Sequence, residues 1–279
     1  LEVKGPEYNY SLVNAKIEVD NKIKYTNRQG KVKFKVYDKK YTINATTLFD
    51  SINKDTYIKD NTTVNLDISQ PSSINYDLFY NTLFWKGTVN YRWDIAPIKV
   101  GFDFSKASTN ITKQEKEVYI NQCMKEVKQW GKIIDDMSIN KTSDLSNANV
   151  IVWIMSDDEY YNQFPQDDDS VAGRGGPQET VNGYVNKGAM WIRESYASQQ
   201  GLYTHEMGHI LGFHHPNNLY STNSVMGYDL EIQANGLTSL DKKLIKLKMS
   251  ISPMVQYNPN KSANINIKKD LSVPYIIKK

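Results

Sequence analysis

The feature that most constrains this chain is where its histidines fall. There are 4 in 279 residues, and all lie between positions 205 and 215. They stand in the run Tyr203-Thr204-His205-Glu206-Met207-Gly208-His209-Ile210-Leu211-Gly212-Phe213-His214-His215. His205 and His209 have a spacing that puts both side chains on one helix face, about 5–6 Å apart. That separation suits two imidazoles converging on a zinc ion at roughly 2.0–2.1 Å. Tyr203, Met207, Ile210 and Leu211 fall on the other side of the same helix and can be buried. His215 cannot join from a straight continuation, because at about 1.5 Å per residue it would lie roughly 15 Å along the axis. The helix has to stop and the chain return. Gly212 sits where that must happen, and glycine accepts the left-handed conformation of a helix end. Glu206 would lie beside the metal without ligating it, as a general base toward water that zinc has acidified. Attack of that water on a polarised amide carbonyl is peptide hydrolysis.

Composition narrows the setting. The 34 basic and 31 acidic residues leave a net charge of +3, which offers no basic field for nucleic acid. No apolar run approaches the roughly 20 residues of a membrane-spanning helix, so no membrane span is expected. The single cysteine, Cys123, excludes an internal disulfide framework and any multi-cysteine metal site. At 279 residues the chain suits one large or two modest domains with a real core.

The pattern His-Glu-x-x-His-x-x-Gly-x-x-His resembles the zinc signature of the metzincin peptidases. Ser224-Val225-Met226-Gly227-Tyr228 is similar to their Met-turn, which implies Met226 as an apolar floor beneath the zinc. Tyr228 matches a tyrosine that, in astacin- and serralysin-like members, swings near the metal. The resemblance implies that it stabilises the transition state by hydrogen-bonding the developing oxyanion. Pro216 resembles serralysins, whereas the short connection from His215 to Met226 is closer to matrixins, so the likeness is to the clan. It implies one catalytic zinc on His205, His209 and His215, with Glu206 and Tyr228 catalytic and His214 a bystander. The second, histidine-held zinc of matrixins is not expected, because no histidine precedes His205. The acidic runs Asp157-Asp158-Glu159 and Asp167-Asp168-Asp169 could bind calcium, as equivalent loops do in matrixins, or form a solvated loop. The implied partner is a protein or peptide substrate, paired as a strand with an edge around Ala189–Ile192. The segment from Gly227 to Gly236 would line the pocket past the cleaved bond, where Tyr228, Leu230 and Ile232 hint at an apolar preference.

Hydrophobic patterning predicts the organisation. Residues 1–85 read as a small β-rich domain: Val32, Phe34 and Val36 alternate with lysines, as do Val64, Leu66 and Ile68 with polar residues before Pro71-Ser72-Ser73. Gly30 and Asp38-Lys39-Lys40 supply turns around the first of these. Residues 86–257 read as an α+β domain. It holds a strand at Ile98–Phe104 and a helix opened by the capping-box pair Thr112 and Glu115. Tyr119, Cys123, Met124, Val127 and Trp130 form that helix's apolar stripe, which makes Cys123 a small buried hydrophobe. A covered strand follows at Asn149–Met155, then a long polar segment at Ser156–Gly188 that is functional or ion-bound. The zinc helix is predicted from about Ser198 to Gly212, and a last helix opens at Thr238. The metzincin resemblance implies a mixed twisted sheet with an edge strand over the cleft, the zinc helix, the Met-turn and a C-terminal helix. Residues 258–279 are a polar basic tail.

The expected protein is a secreted or cell-surface bacterial zinc endopeptidase whose leader is not part of this sequence. The other function class is a zinc-binding adhesion protein that uses the scaffold without catalysis. Residues 1–85 would be either an accessory domain or a prosegment. A cysteine switch is excluded, because no cysteine precedes Cys123.

Overall fold

A computed structural model describes residues 2–4, 12, 14–27, 29–48, 50–59, 62–68, 82–83, 90–93, 97–134, 137–216 and 223–251. The predicted break at Pro71–Ser73 and the tail from residue 258 lie outside the described residues. The described residues up to Asn90, with those from Lys243 onward, make one compact unit, and Tyr91–Lys242 make the other. No helix among the described residues is long and apolar enough to cross a membrane.

The first unit contains β1 (Glu2–Lys4), β2 (Lys16–Val19), β3 (Lys22–Tyr25), β4 (Lys39–Thr46), β5 (Ser51–Ile58) and β6 (Asn65–Asp67). An antiparallel sheet runs in the order β3-β2-β4-β5, and β1 pairs with β6 in parallel. Ile17 and Val19 of β2 and Tyr41, Ile43 and Ala45 of β4 fill its buried face. Asp20 and Asn21 both have positive φ, the geometry of a two-residue hairpin turn, and they set the β2–β3 register. The predicted strand at Lys31–Val36 does not form. The stretch keeps its alternation, with Val32 buried and the lysines exposed, but beyond the single bridge at Lys31 it has no ladder. Lys39 and Lys40, expected in a turn, open β4. Around β6 the expected alternation holds, with Val64, Leu66 and Ile68 buried.

The second unit is a mixed α+β structure. It contains β7 (Arg92–Trp93), β8 (Ile98–Asp103), α1 (Lys113–Gly131), β9 (Ile139–Lys141), β10 (Val150–Met155), α2 (Asp157–Gln163), β11 (Gly173–Val181) and β12 (Tyr184–Arg193). There follow α3 (Leu202–Ile210), α4 (Leu230–Asn235) and α5 (Ser239–Ser250), the last of which runs on into residues of the first unit. The sheet order is β11-β12-β10-β8-β9, with β7 also on β12. All pairs are parallel except β11–β12. β10, predicted as a covered strand, is central and almost wholly apolar. Thr112 and Glu115 form the predicted reciprocal cap on α1. Cys123, Met124, Val127 and Trp130 are buried on its inner stripe, each worth roughly 1.5–3 kcal/mol of apolar burial where fully enclosed. Burial holds the Cys123 thiol well above its usual pKa, in keeping with an inert core residue.

Two expectations change. Residues 156–188 are not a long loop but α2 followed by a hairpin. Ser156 caps α2 by accepting from Glu159 N, and Asn182-Gly183 make the β11–β12 turn with positive φ at both positions. Ala189–Ile192 is not an edge either, because β12 lies between β10 and β11, and β11 is the sheet's antiparallel edge. The acidic turn leading into β11 is held by Asp167, whose side chain is 3% exposed and pairs in bidentate fashion with Arg174. Tyr160 donates to the same carboxylate at 2.9 Å.

The Arg174 guanidinium draws the Asp167 pKa below its usual value near 3.8. A carboxyl group shifted downwards stabilises the fold above its unfolded pKa and loses that contribution as the pH falls through its folded pKa. Asp167→Asn is therefore expected to lower Tm at pH 7 by about 2–8 °C, from about 1–2 kcal/mol. The gap from wild type should narrow below pH 4. Thermal melts of both chains at pH 7 and pH 3 check it, and an equal gap at both would contradict the assignment.

Candidate metal centre

α3 starts at Leu202, later than predicted, because Gly201 at φ 84 interrupts the chain before it. Every residue of the helix is buried except His209, which is half-buried. The helix ends at Ile210, and Gly212 adopts the left-handed conformation, φ 88, that turns the chain back. His215 returns as expected. The Nε2 atoms of His205, His209 and His215 lie 3.1 Å from one another in all three pairings. Among the described residues this is the group of histidine, cysteine or acidic side chains close enough to hold a metal ion.

Hydrogen bonds at the outer ring nitrogens set the protonation. His205 Nδ1 lies 2.6 Å from the Val225 carbonyl and His209 Nδ1 lies 2.9 Å from the Phe213 carbonyl. A carbonyl accepts only, so each Nδ1 carries the proton and each Nε2 lone pair faces the cluster. The Tyr228 hydroxyl, which can accept from an imidazole or donate to it, lies 3.1 Å from His215 Nδ1. Burial pushes all three histidines below their usual pKa, with proximity to the other imidazoles adding to the shift at His205 and His215. His215 is taken down to about 3. Three neutral imidazoles with converging Nε2 atoms make a metal-ligand set. Nitrogens sharing a tetrahedral ion with bonds of 2.0–2.1 Å would be about 3.3 Å apart, close to the 3.1 Å found. The residues fit such an ion.

Glu206 is buried, and its Oε2 has no hydrogen-bond partner. Burial raises its pKa to about 8, against opposing effects of the Arg174 charge and a Gly175 N–H. Gly175 on β11 lies so close to α3 that a Cβ there would strike the Glu206 backbone. The edge strand and the helix thus meet at the carboxylate.

Met226 is fully buried, and its sulfur packs against Gly208 on α3. His214 is half-buried outside the cluster. In the segment from Gly227 to Gly236, Leu230 is 63% exposed and Gln233 is the buried residue of α4. The side of α4 turned into the protein is therefore polar at Gln233, while Tyr228 and Leu230 are exposed and Ile232 is half-buried.

Sequence reasoning missed three supporting residues. Glu126 of α1 accepts the N–H groups of Gly201, Tyr203 and Thr204 at 3.0, 3.0 and 3.3 Å, and so caps α3 from another helix. Its signal was a carboxylate lying among the apolar positions 123, 127 and 130 of the α1 stripe. Asp241 accepts from Ser224 Oγ at 2.6 Å and Val225 N at 3.2 Å, and so holds the turn whose carbonyl binds His205. Thr238-x-x-Asp241 has capping spacing, which was its signal. Gln233 donates to the Gly227 carbonyl at 2.7 Å and carries no pattern at all.

Four of the six acidic residues put forward for calcium, Asp157, Asp167, Asp168 and Asp169, are engaged within the chain. Asp157 accepts from Arg193 at 2.7 Å, Asp167 pairs with Arg174, Asp168 accepts from Ser170 N at 2.9 Å, and Asp169 accepts from Tyr161 at 2.6 Å. Arg193 is also stacked between the rings of Tyr161 and Tyr196. No protein-family model matches the chain, and no curated protein matches it.

Replacing any one of His205, His209 or His215 by alanine should weaken Zn²⁺ or Co²⁺ binding beyond the about 10–100-fold typical of outer-shell changes. His214→Ala should leave affinity within about twofold, and Asp241→Asn should fall in the outer-shell range. Chelator-competition titrations check the series. Equal effects at His214 and His215 would contradict the ligand set.

Proposed function

We propose that this chain is a zinc-dependent endopeptidase of metzincin type, secreted or held at the cell surface, that hydrolyses protein or peptide substrates. One observation carries the reading: a buried carboxylate with an unpartnered oxygen, Glu206, follows directly on the first of three converging neutral imidazoles. A purely structural zinc site would be closed by a fourth protein ligand and would have no use for that carboxylate.

His205, His209 and His215 would hold the zinc, which when bound supplies Lewis acidity to the scissile carbonyl and to water. The chain's own groups do the rest. An extended peptide pairs with the edge strand β11, and backbone hydrogen bonds there fix its height over the cluster. Glu206 accepts the proton of the attacking water and passes it to the leaving amine. Tyr228, exposed and in contact with His215, donates its hydroxyl hydrogen to the oxyanion that develops on the carbonyl.

Glu206→Gln should lower kcat by about 10²–10⁴-fold while leaving zinc bound, and Tyr228→Phe by about 10²–10³-fold. Chelation should abolish cleavage, and zinc should restore it. The assay is a peptide-library digest read by mass spectrometry with zinc content measured in parallel. Zinc bound to the three histidines with no peptide cleaved would favour the binding-scaffold reading instead.

A further inference from the structure

α4 is one short helix and acts largely through one side chain. Asp229 caps it, accepting from Glu231 N at 3.0 Å and Ile232 N at 3.2 Å, while Leu230 points to solvent and Gln233 is buried. Gln233 Nε2 reaches back to the Gly227 carbonyl at 2.7 Å. It also stands 3.2 Å from His205 Nδ1, but that nitrogen already gives its proton to the Val225 carbonyl. The amide hydrogen bond therefore belongs to Gly227, and the contact with the ring is packing. The Gln233 backbone lies against Gly201, where any Cβ would collide with it. One residue thus touches the start of α3, the outer edge of His205 and the peptide leading into Tyr228.

That peptide matters because the Gly227 carbonyl belongs to the amide plane joining Gly227 to Tyr228. Holding its oxygen fixes the plane, and the plane sets the direction in which Tyr228 leaves the turn. The Tyr228 ring then lies 4.6 Å from the His215 ring, with its hydroxyl on Nδ1. We propose that Gln233 is a positioning residue, tying the Gly227–Tyr228 peptide to the start of α3 and so setting where the Tyr228 hydroxyl stands relative to His215. The catalytic consequence rests on the peptidase reading. The geometric one does not.

The test compares Gln233→Met, which keeps the shape and loses the donor, with Tyr228→Phe and the double variant in the full zinc-loaded chain. Nitrogen-15 NMR of the imidazoles gives a readout without turnover: Gln233→Met should shift the His215 resonances, as Tyr228→Phe does, and leave those of His209 in place. In turnover, Gln233→Met should lower kcat about 10-fold with KM within about twofold, and the loss should vanish in the Tyr228→Phe background. Unmoved His215 resonances, or losses that multiply in the double variant, would overturn the proposal. If wild type cleaves nothing, the peptidase reading fails while the resonances still decide the role of Gln233. Should the methionine variant not fold, Gln233→Asn, whose amide is too short to reach Gly227, takes its place with the same expected outcomes.

Discussion

Much of the second unit is organised around the burial of α3, a helix with no fully exposed face that nonetheless carries Thr204, His205 and Glu206. Polar groups taken out of water need partners or a function, and the neighbouring elements supply the partners. Glu126 takes up the N–H groups at the helix start. The Trp130 indole donates to the Thr204 carbonyl at 2.9 Å, and the Trp93 indole donates to the Ile210 carbonyl at 2.9 Å at the helix end. The Val225 carbonyl takes the His205 proton. Among the groups these partners leave over are the Thr204 hydroxyl, the inward faces of the imidazoles and one oxygen of Glu206, and the proposed chemistry uses the last two.

The ligand cluster is set from two sides. From one, α3 and the reversal at Gly212 bring the histidines together within a short stretch of chain. From the other, Asp241 secures the turn at Ser224–Met226, and that turn supplies both the carbonyl behind His205 and the sulfur beneath Gly208. The geometry of the histidine cluster thus depends on carboxylates that lie outside it.

The site was far more legible in the sequence than its surroundings. A ligand spacing with a compulsory break states its own geometry, so His205, His209, His215 and Gly212 could be placed from the chain alone. The capping pair at Thr112 and the apolar run of β10 were legible for the same reason, since each is a local rule with few alternatives. Lys31–Val36 misled because alternation reports a face without naming a partner. The hairpin after Asp169 was overlooked although Asn182-Gly183 announces it, because the acidic and glycine-rich composition suggested a loop. Gln233 could not have been found, since its value comes from the fold bringing a helix end against Gly201.

The β11–β12 hairpin has a consequence for how the chain assembles. A two-residue turn closes in about 1–10 µs, whereas pairing β10 with β8 must bring Val150 beside Val100 across the length of α1 and is intrinsically slower. The hairpin can therefore exist with its outer edge bare before the sheet and α3 are in place. Such an edge invites other chains to pair with it. Gly173, Gly175, Gly176 and Pro177 weaken it as a template for a second copy of the chain, because glycine weakens a strand and proline offers no N–H, so a peptide paired there needs a further hold such as the histidine cluster. Gly175, which gives the helix room behind the strand, thus also helps to protect the newborn chain from its own copies.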